Sequence, residues 1–330
     1  MIAATTQPNR CITLLSTAPI APALRNTLGG LALLLCAHGA DAEILTQPPR
    51  DVDVVGRIRT VTARAEDTLL DIARRNDIGQ DEILEANPDV DRWLPGAGTK
   101  VVIPSRYVLP NAERKGIILN APEMRLYYFR PGHDGEPPVL ETYPVSVGRM
   151  DWNTPVGTTR VVKKVRDPSW HPPESIRKEA EAKGESLPEV VPAGPDNPLG
   201  RYAMRLGIPG YLIHSTNKPF GVGMRVTHGC VRMYPEDIEK LFPEVPTGTP
   251  VQIVNQPVKL GWLFDTLYIE VHPPLEEDDK GYEGLLQLAM DQLNRMWEKR
   301  PFRLDVPALK QAVRARSGMP VAIGQALESR

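Results

Sequence analysis

The chain has 330 residues, with 39 Lys and Arg against 41 Asp and Glu, a formal net charge of −2, and 41% hydrophobic and 24% charged residues. That balance suits a soluble chain long enough for two folded units and argues against a disordered or membrane class. With no basic excess and no basic run interleaved with aromatics, nucleic acid is not an expected partner. The 34 prolines, about twice the usual ~5%, favour long ordered loops over many helices.

In chain order, Arg10 and Arg25 precede an apolar run from Leu28 to Ala37, and Ala40-Asp41-Ala42 places small residues at the two positions a signal peptidase reads. Residues 1–42 are therefore expected to be an export signal, with the mature chain starting near Glu43. The run is shorter than the ~20 apolar residues of a spanning helix. Leu35 is too large for a lipid-attachment site at Cys36. Cys11 and Cys36 leave with the signal, so Cys230 becomes the single cysteine of the mature chain and cannot form an internal disulfide. Outside the cytoplasm such a cysteine is either buried and inert or a reactive thiol.

Residues 43–57 read as a linker. Residues 58–105 read as strand, helix, helix, strand: an alternating start, helical periodicity through Leu69, Ile72 and Ala73, a second helix with Ile83, Leu84 and Ala86, and an apolar strand from Val101 to Ile103. Thr60-Val61, Asp67-Thr68-Leu69, Ile72-Ala73, Asn87-Pro88, Pro95-Gly96 and Ile103-Pro104 make this segment resemble a LysM module. The resemblance implies binding to N-acetylglucosamine-containing glycan such as peptidoglycan.

Residues 113–255 change to alternation. "GIILNAPEMRLYYF", "VLETYPVSVG", "TTRVVKKV", "YAMRL", "YLIH" and "PVQIV" predict strands, and "YPEDIEKLF" predicts a helix with Pro235 near its start and Glu236 and Asp237 in its first turn. Residues 166–200 interrupt with a short charged helix framed by prolines, the pattern of a lid or binding loop. Residues 256–330 read as a C-terminal extension. Its amphipathic helix carries Tyr282, Leu285, Leu286, Ala289, Leu293, Met296 and Trp297 on one face, expected to pack on the preceding domain.

Chemistry concentrates in "RVTHGCVRM", residues 225–233. A free thiol is mostly protonated at neutral pH, so a nucleophilic cysteine needs a base or a positive field beside it. His228 and Arg232 lie two positions either side of Cys230, and His214 ends an apolar strand. Alternation puts Arg232 on the face of Cys230, where a cation favours thiolate or holds a substrate carboxylate. Gly229 permits close backbone approach, so that its amide and that of Cys230 can face a developing oxyanion. A zinc site from His214, His228 and Cys230 is the second reading, and it lacks a visible second ligand pair. His133, His171 and His272 read as surface or loop residues.

His214, thirteen intervening residues and Thr227-His228-Gly229-Cys230 together resemble the L,D-transpeptidase (YkuD-type) family, with supporting likeness in "WHPP", "NPLG" and "LYIEVHPP". The resemblance implies a mainly β (α+β) architecture: a β-sandwich catalytic domain, beside a small βααβ LysM-like domain and a helical C-terminal extension. It implies Cys230 as nucleophile, His214 as proton donor and acceptor, Ser215 as the residue orienting the imidazole, and His228 and Gly229 shaping the oxyanion site beside Thr227 and Arg232. The implied reaction is attack on the residue-3 carbonyl of a peptidoglycan tetrapeptide stem, loss of D-alanine, and transfer to an amine of a second stem or of a cell-wall lipoprotein. Water as acceptor would make the protein a hydrolase, and a degenerate domain would make it a peptidoglycan-binding scaffold. No metal or other cofactor is expected, the location is the periplasm, and a thiol reductant is a further expected partner for an exposed low-pKa thiol.

Overall fold

The computed structural model describes residues 43–132, 135–149 and 153–327; the expected export signal, 1–42, and His133 lie outside the described residues. The N-terminal part contains β1 (Glu43–Thr46), β2 (Val54–Gly56), β3 (Arg59–Thr62), α1 (Leu69–Arg75), α2 (Gln80–Ala86), β4 (Lys100–Ile103) and β5 (Arg106–Val108). β3 pairs antiparallel with β4, and the two short helices pack Leu69, Ile72, Ala73 and Ile83 onto Val101 and Ile103. Thr68 and Asp71 cap α1 reciprocally, which fixes where that helix starts. The segment expected to be a linker is ordered instead: β1 adds to the edge of the central sheet and β2 pairs with β5. Its backbone groups find partners on exposed strand edges, a pairing that a reading of local composition does not detect.

The central domain runs through β6 (Gly116–Asn120), β7 (Arg125–Arg130), β8 (Val139–Gly148), β9 (Gly157–Arg166), α3 (Glu174–Ala182), β10 (Tyr202–Leu206), β11 (Leu212–His214), β12 (Arg225–Thr227), β13 (Val231–Met233), α4 (Pro235–Glu244) and β14 (Pro250–Val254). Among the described residues these strands and β1 form a ten-stranded sheet in the order β1-β8-β13-β11-β10-β9-β14-β6-β7, with β12 beside β8. β7 also pairs with β8, so the sheet expected as a sandwich closes on itself. Alternation turns Ile117, Leu119, Val145, Met204, Ile213 and Val231 into one buried cluster, and α4 adds Ile238 and Leu241 to it.

The C-terminal part differs from the helical extension expected. It comprises β15 (Val258–Leu263), β16 (Thr266–Val271), α5 (Gly281–Lys299), β17 (Phe302–Leu304), α6 (Val306–Ala315) and β18 (Val321–Ala326). The strands form their own four-stranded sheet, β15-β16-β18-β17. α5 lays Leu285, Ala289 and Leu293 on that sheet and not on the central domain, because Leu267, Ile269 and Ile323 offer it a complete apolar partner.

Two junctions hold these parts together. Between the βααβ segment and the barrel, the buried Arg125 guanidinium bonds Glu82 at 2.6 Å and lies 4.2 Å from the Tyr107 ring centroid. Between the barrel and the C-terminal sheet, Lys259 Nζ lies 2.7 Å from both Glu123 and Glu270, and His272 Nε2 lies 2.6 Å from Glu270. His272 is therefore a buried member of an ion network, in contrast to the surface or loop position expected of it. Its proline-rich sequence context conceals that it directly follows β16 and is buried.

Candidate active site

The parallel register of β11 and β13 sets Ile213 beside Val231 and His214 beside Arg232. Residues paired across a ladder project to one face, so Ile213 and Val231 enter the core while His214 and Arg232 project from the opposite face. Cys230, one residue before Val231, belongs to the His214 face by the same alternation. Ser146 of β8 pairs with Arg232 and extends that face.

The turn carrying Cys230 is held at each residue. Thr227 Oγ1 donates to the Cys230 carbonyl at 2.6 Å, and Thr154 Oγ1 donates to the Gly229 carbonyl at 2.9 Å. Gly229 has φ +94°, a conformation that disfavours any side chain. Cys230 is half-buried, and its Sγ lies 3.5 Å from the Gly210 carbonyl, which accepts the thiol hydrogen.

His214 is buried, and its Nδ1 lies 2.5 Å from the Ser215 carbonyl oxygen. A carbonyl only accepts, so Nδ1 carries the proton and Nε2 keeps its lone pair. The main chain of Ser215 thus fixes the tautomer and limits rotation of the imidazole. Gly200, from the "NPLG" stretch at the base of the 166–200 excursion, sits against it: a Cβ at Gly200 would come within 2.6 Å of Ser215 Cβ. Burial, with the Arg232 guanidinium adding to it, pushes the His214 pKa down to about 4. The ring is neutral at physiological pH.

Burial pushes the Cys230 thiol up, against the opposing Leu212 amide and Arg232 guanidinium. The expectation of a low-pKa thiol is not met, because desolvation outweighs the positive field. Arg232 has no carboxylate partner among the described residues, and its Nε is buried without a hydrogen bond.

His228 is turned elsewhere. Its Nε2 lies 2.7 Å from Glu179 Oε2 of α3, which also accepts from Arg149 at 2.6 Å. Neither Glu179 nor Arg149 nor Thr154 stood out in the sequence, since each lies dozens of residues from the turn it contacts. His214, His228 and Cys230 do not form the ligand cluster that the zinc reading needs: among the described residues, the ligating atoms found within 4.8 Å of one another belong to Glu123, Glu270 and His272. There the Lys259 ammonium already occupies the cation position between the two carboxylates.

Known proteins place this arrangement. The family described as the YkuD L,D-transpeptidase catalytic domain matches residues 114–253. The probable L,D-transpeptidase ErfK/SrfK of Escherichia coli is 40% identical over 306 residues, covering 90% of this chain and 96% of that protein. The probable L,D-transpeptidase YbiS of the same organism is 39% identical over 305 residues, covering 90% and 98%. The catalytic domain of the E. faecium L,D-transpeptidase, solved by NMR, superposes with a TM-score of 0.32 at 23% identity, covering 44% of this chain and 100% of that one. With its barrel, its Thr-His-Gly-Cys turn and this likeness along nearly its whole length, the chain belongs to the L,D-transpeptidase family.

Proposed function

We infer that the protein is a cysteine acyltransferase of the cell wall that acts on peptidoglycan stem peptides, with Cys230 as nucleophile and His214 as general base. The observation that carries the reading is the pairing of β11 with β13, together with the commitment of His214 Nδ1 to Ser215, which leaves Nε2 as a proton acceptor on the face of Cys230. The resting pair is a neutral thiol and a neutral imidazole. Rotation of the thiol from the Gly210 carbonyl towards His214 would let deprotonation accompany attack, in place of a standing thiolate.

In the first step Cys230 attacks the residue-3 carbonyl of a tetrapeptide stem. The C–N bond to D-alanine breaks, and His214 returns the proton to the departing amine. The Gly229 turn, at φ +94°, supports an oxyanion role for the nearby amides, and Arg232 suits a substrate carboxylate. In the second step an amine of another stem, or a lipoprotein lysine, attacks the thioester and frees the thiol. A reductant partner is not part of this reading, since a protonated, half-buried thiol oxidises slowly. The βααβ segment is the proposed LysM-like glycan-binding unit, with Trp93 of its α2–β4 loop 61% exposed as a stacking surface. No helix among the described residues is long and apolar enough to cross a membrane. The reading places the protein in the periplasm.

The test is incubation of the protein and its Cys230→Ala variant with tetrapeptide muropeptides, followed by mass spectrometry. Cross-linked dimers lacking one D-alanine are expected from the wild type alone. Tripeptide without dimer would identify water as the acceptor. Equal turnover by the variant would remove Cys230 from the mechanism, and no turnover by either would leave a binding scaffold.

A further inference from the structure

α3 is a helix with little packing to hold it: of its residues only Ala180 is buried. Burial of one methyl group contributes little, so what fixes this helix to the barrel is polar. The polar contact is Glu179. Its Oε2 accepts from Arg149 at 2.6 Å and from His228 Nε2 at 2.7 Å, while Oε1 accepts from Lys183, one turn on, at 2.8 Å. One barrel partner lies in the turn that presents the thiol and the other is bonded to it. His228 is two residues before Cys230, and the Arg149 backbone N–H donates to the Thr227 carbonyl at 3.1 Å.

Because a carboxylate only accepts, the His228 ring presents Nε2–H to Glu179, and its rotation is set from the lid. Arg149 Nη2 lies 3.4 Å from the same His228 nitrogen, and Glu179 Oε2 is the acceptor that both share. His228, Lys183 and Arg149 together hold the Glu179 carboxyl at about 2, so the anion persists throughout the physiological range.

We propose that Glu179 is a positioning residue for the acyl transfer: it latches the lid helix to Arg149 and His228, so that docking of the lid and ordering of the Thr227–Cys230 turn are one event. The inference rests on Cys230 as nucleophile and adds how its turn is set. A stem peptide that enters under a docked lid meets the ordered turn, whereas an undocked lid leaves the thiol accessible and the turn misaligned.

The test compares the full chain with Glu179→Ala and Glu179→Gln, the second retaining shape and one acceptor but no charge. Four quantities are read: kcat and KM on tetrapeptide muropeptides, the side-chain nitrogen resonances of His228, hydrogen exchange across residues 174–182, and alkylation of Cys230 by iodoacetamide. For Glu179→Ala, kcat falls by about tenfold or more with a smaller change in KM. The His228 resonance shifts, exchange in the helix accelerates, and alkylation stays as fast as in the wild type or becomes faster. Glu179→Gln falls between. Wild-type kcat in Glu179→Ala would overturn the proposal even if the helix loosened, as would a loss of kcat with an unmoved His228 resonance. If the wild type itself fails to turn over, the transferase reading fails, and the resonance and exchange measurements still decide whether the latch exists.

Discussion

A thiol raised by burial and a histidine pushed down to about 4 make a pair whose pH behaviour differs from that of a preformed ion pair. His214 must be neutral to accept a proton, and with a folded value of about 4 it is neutral across the range in which an ordinary histidine titrates. The acid limb of kcat/KM is accordingly expected near pH 4 and not near 6.5. Iodoacetamide alkylation of Cys230 should rise with pH to a midpoint above the ordinary thiol value. A pH–rate profile with its acid limb near 6.5, or a thiol fully reactive at pH 6, would contradict this arrangement. The residues closest in sequence to the chemistry were legible in advance: Thr227, His228, Gly229 and Cys230 are contiguous, and His214 ends a strand of recognisable alternation. Glu179, Arg149 and Thr154 were not, because they meet the turn across separations of 49, 79 and 75 residues. The direction of the thiol shift was also hidden, since it depends on how much of the thiol the folded barrel removes from water.

The elements that carry the site are braced from the N-terminal side. Gln80 N–H donates to the Val222 carbonyl at 3.0 Å and Asp81 N–H to the Gly223 carbonyl at 3.1 Å, so the start of α2 docks by its main chain onto the loop before β12. That approach requires two glycines: a Cβ at Gly223, with φ +84°, would come within 2.3 Å of Gly79 Cα. Gly223→Ala should therefore destabilise the protein by roughly 1–3 kcal/mol from the backbone conformation alone, with more from the collision, and should lower activity. Gly221→Ala is the control, because its added Cβ lies 3.5 Å from the nearest Arg232 nitrogen, an ordinary contact. Equal melting temperatures for the two variants would show that the docking is loose. Alternation exposed most central strands in the sequence, "PVQIV" as all of β14 and "VLETYPVSVG" as all of β8. It did not expose the C-terminal sheet. The β15–β16 hairpin turns at Phe264, with φ +54° on a residue that carries no turn signal, and β17 has three residues, too few to show a period.

At the scale of the whole molecule, the junctions that seat the N-terminal and C-terminal parts on the barrel are built from buried titratable groups, and several of them hold protons more tightly than the unfolded chain does. Asp237 of α4 lies beside Asp77; burial first, and then the neighbouring Asp77 and Glu236 charges, push Asp237 well up, so it holds its proton. Burial raises Glu85 of α2 to about 7. His272 is raised as well: burial works against its charged form, but the hydrogen bond and charge of Glu270 outweigh it. A group with a raised folded pKa contributes stability that is fully present below its unfolded value and lost as pH rises through the folded one. His214 has the opposite sign, contributing roughly 3 kcal/mol that is fully present above 6.5 and lost as pH falls towards about 4. Above pH 6.5 its effect is saturated, and the raised groups alone set the slope. The melting temperature is therefore expected to fall between about pH 6.5 and 8.5, by up to roughly 1.4 kcal/mol of stability per pH unit for each extra proton held. Asp237→Asn replaces the acid with a neutral amide of the same shape that cannot ionise. This variant should melt above the wild type by a margin that grows from pH 5.5 to pH 8.5, flattening the slope. A wild-type slope retained in Asp237→Asn would mean that the Asp77–Asp237 contact opens to water before the molecule unfolds, and hence that the βααβ segment undocks as a separate step.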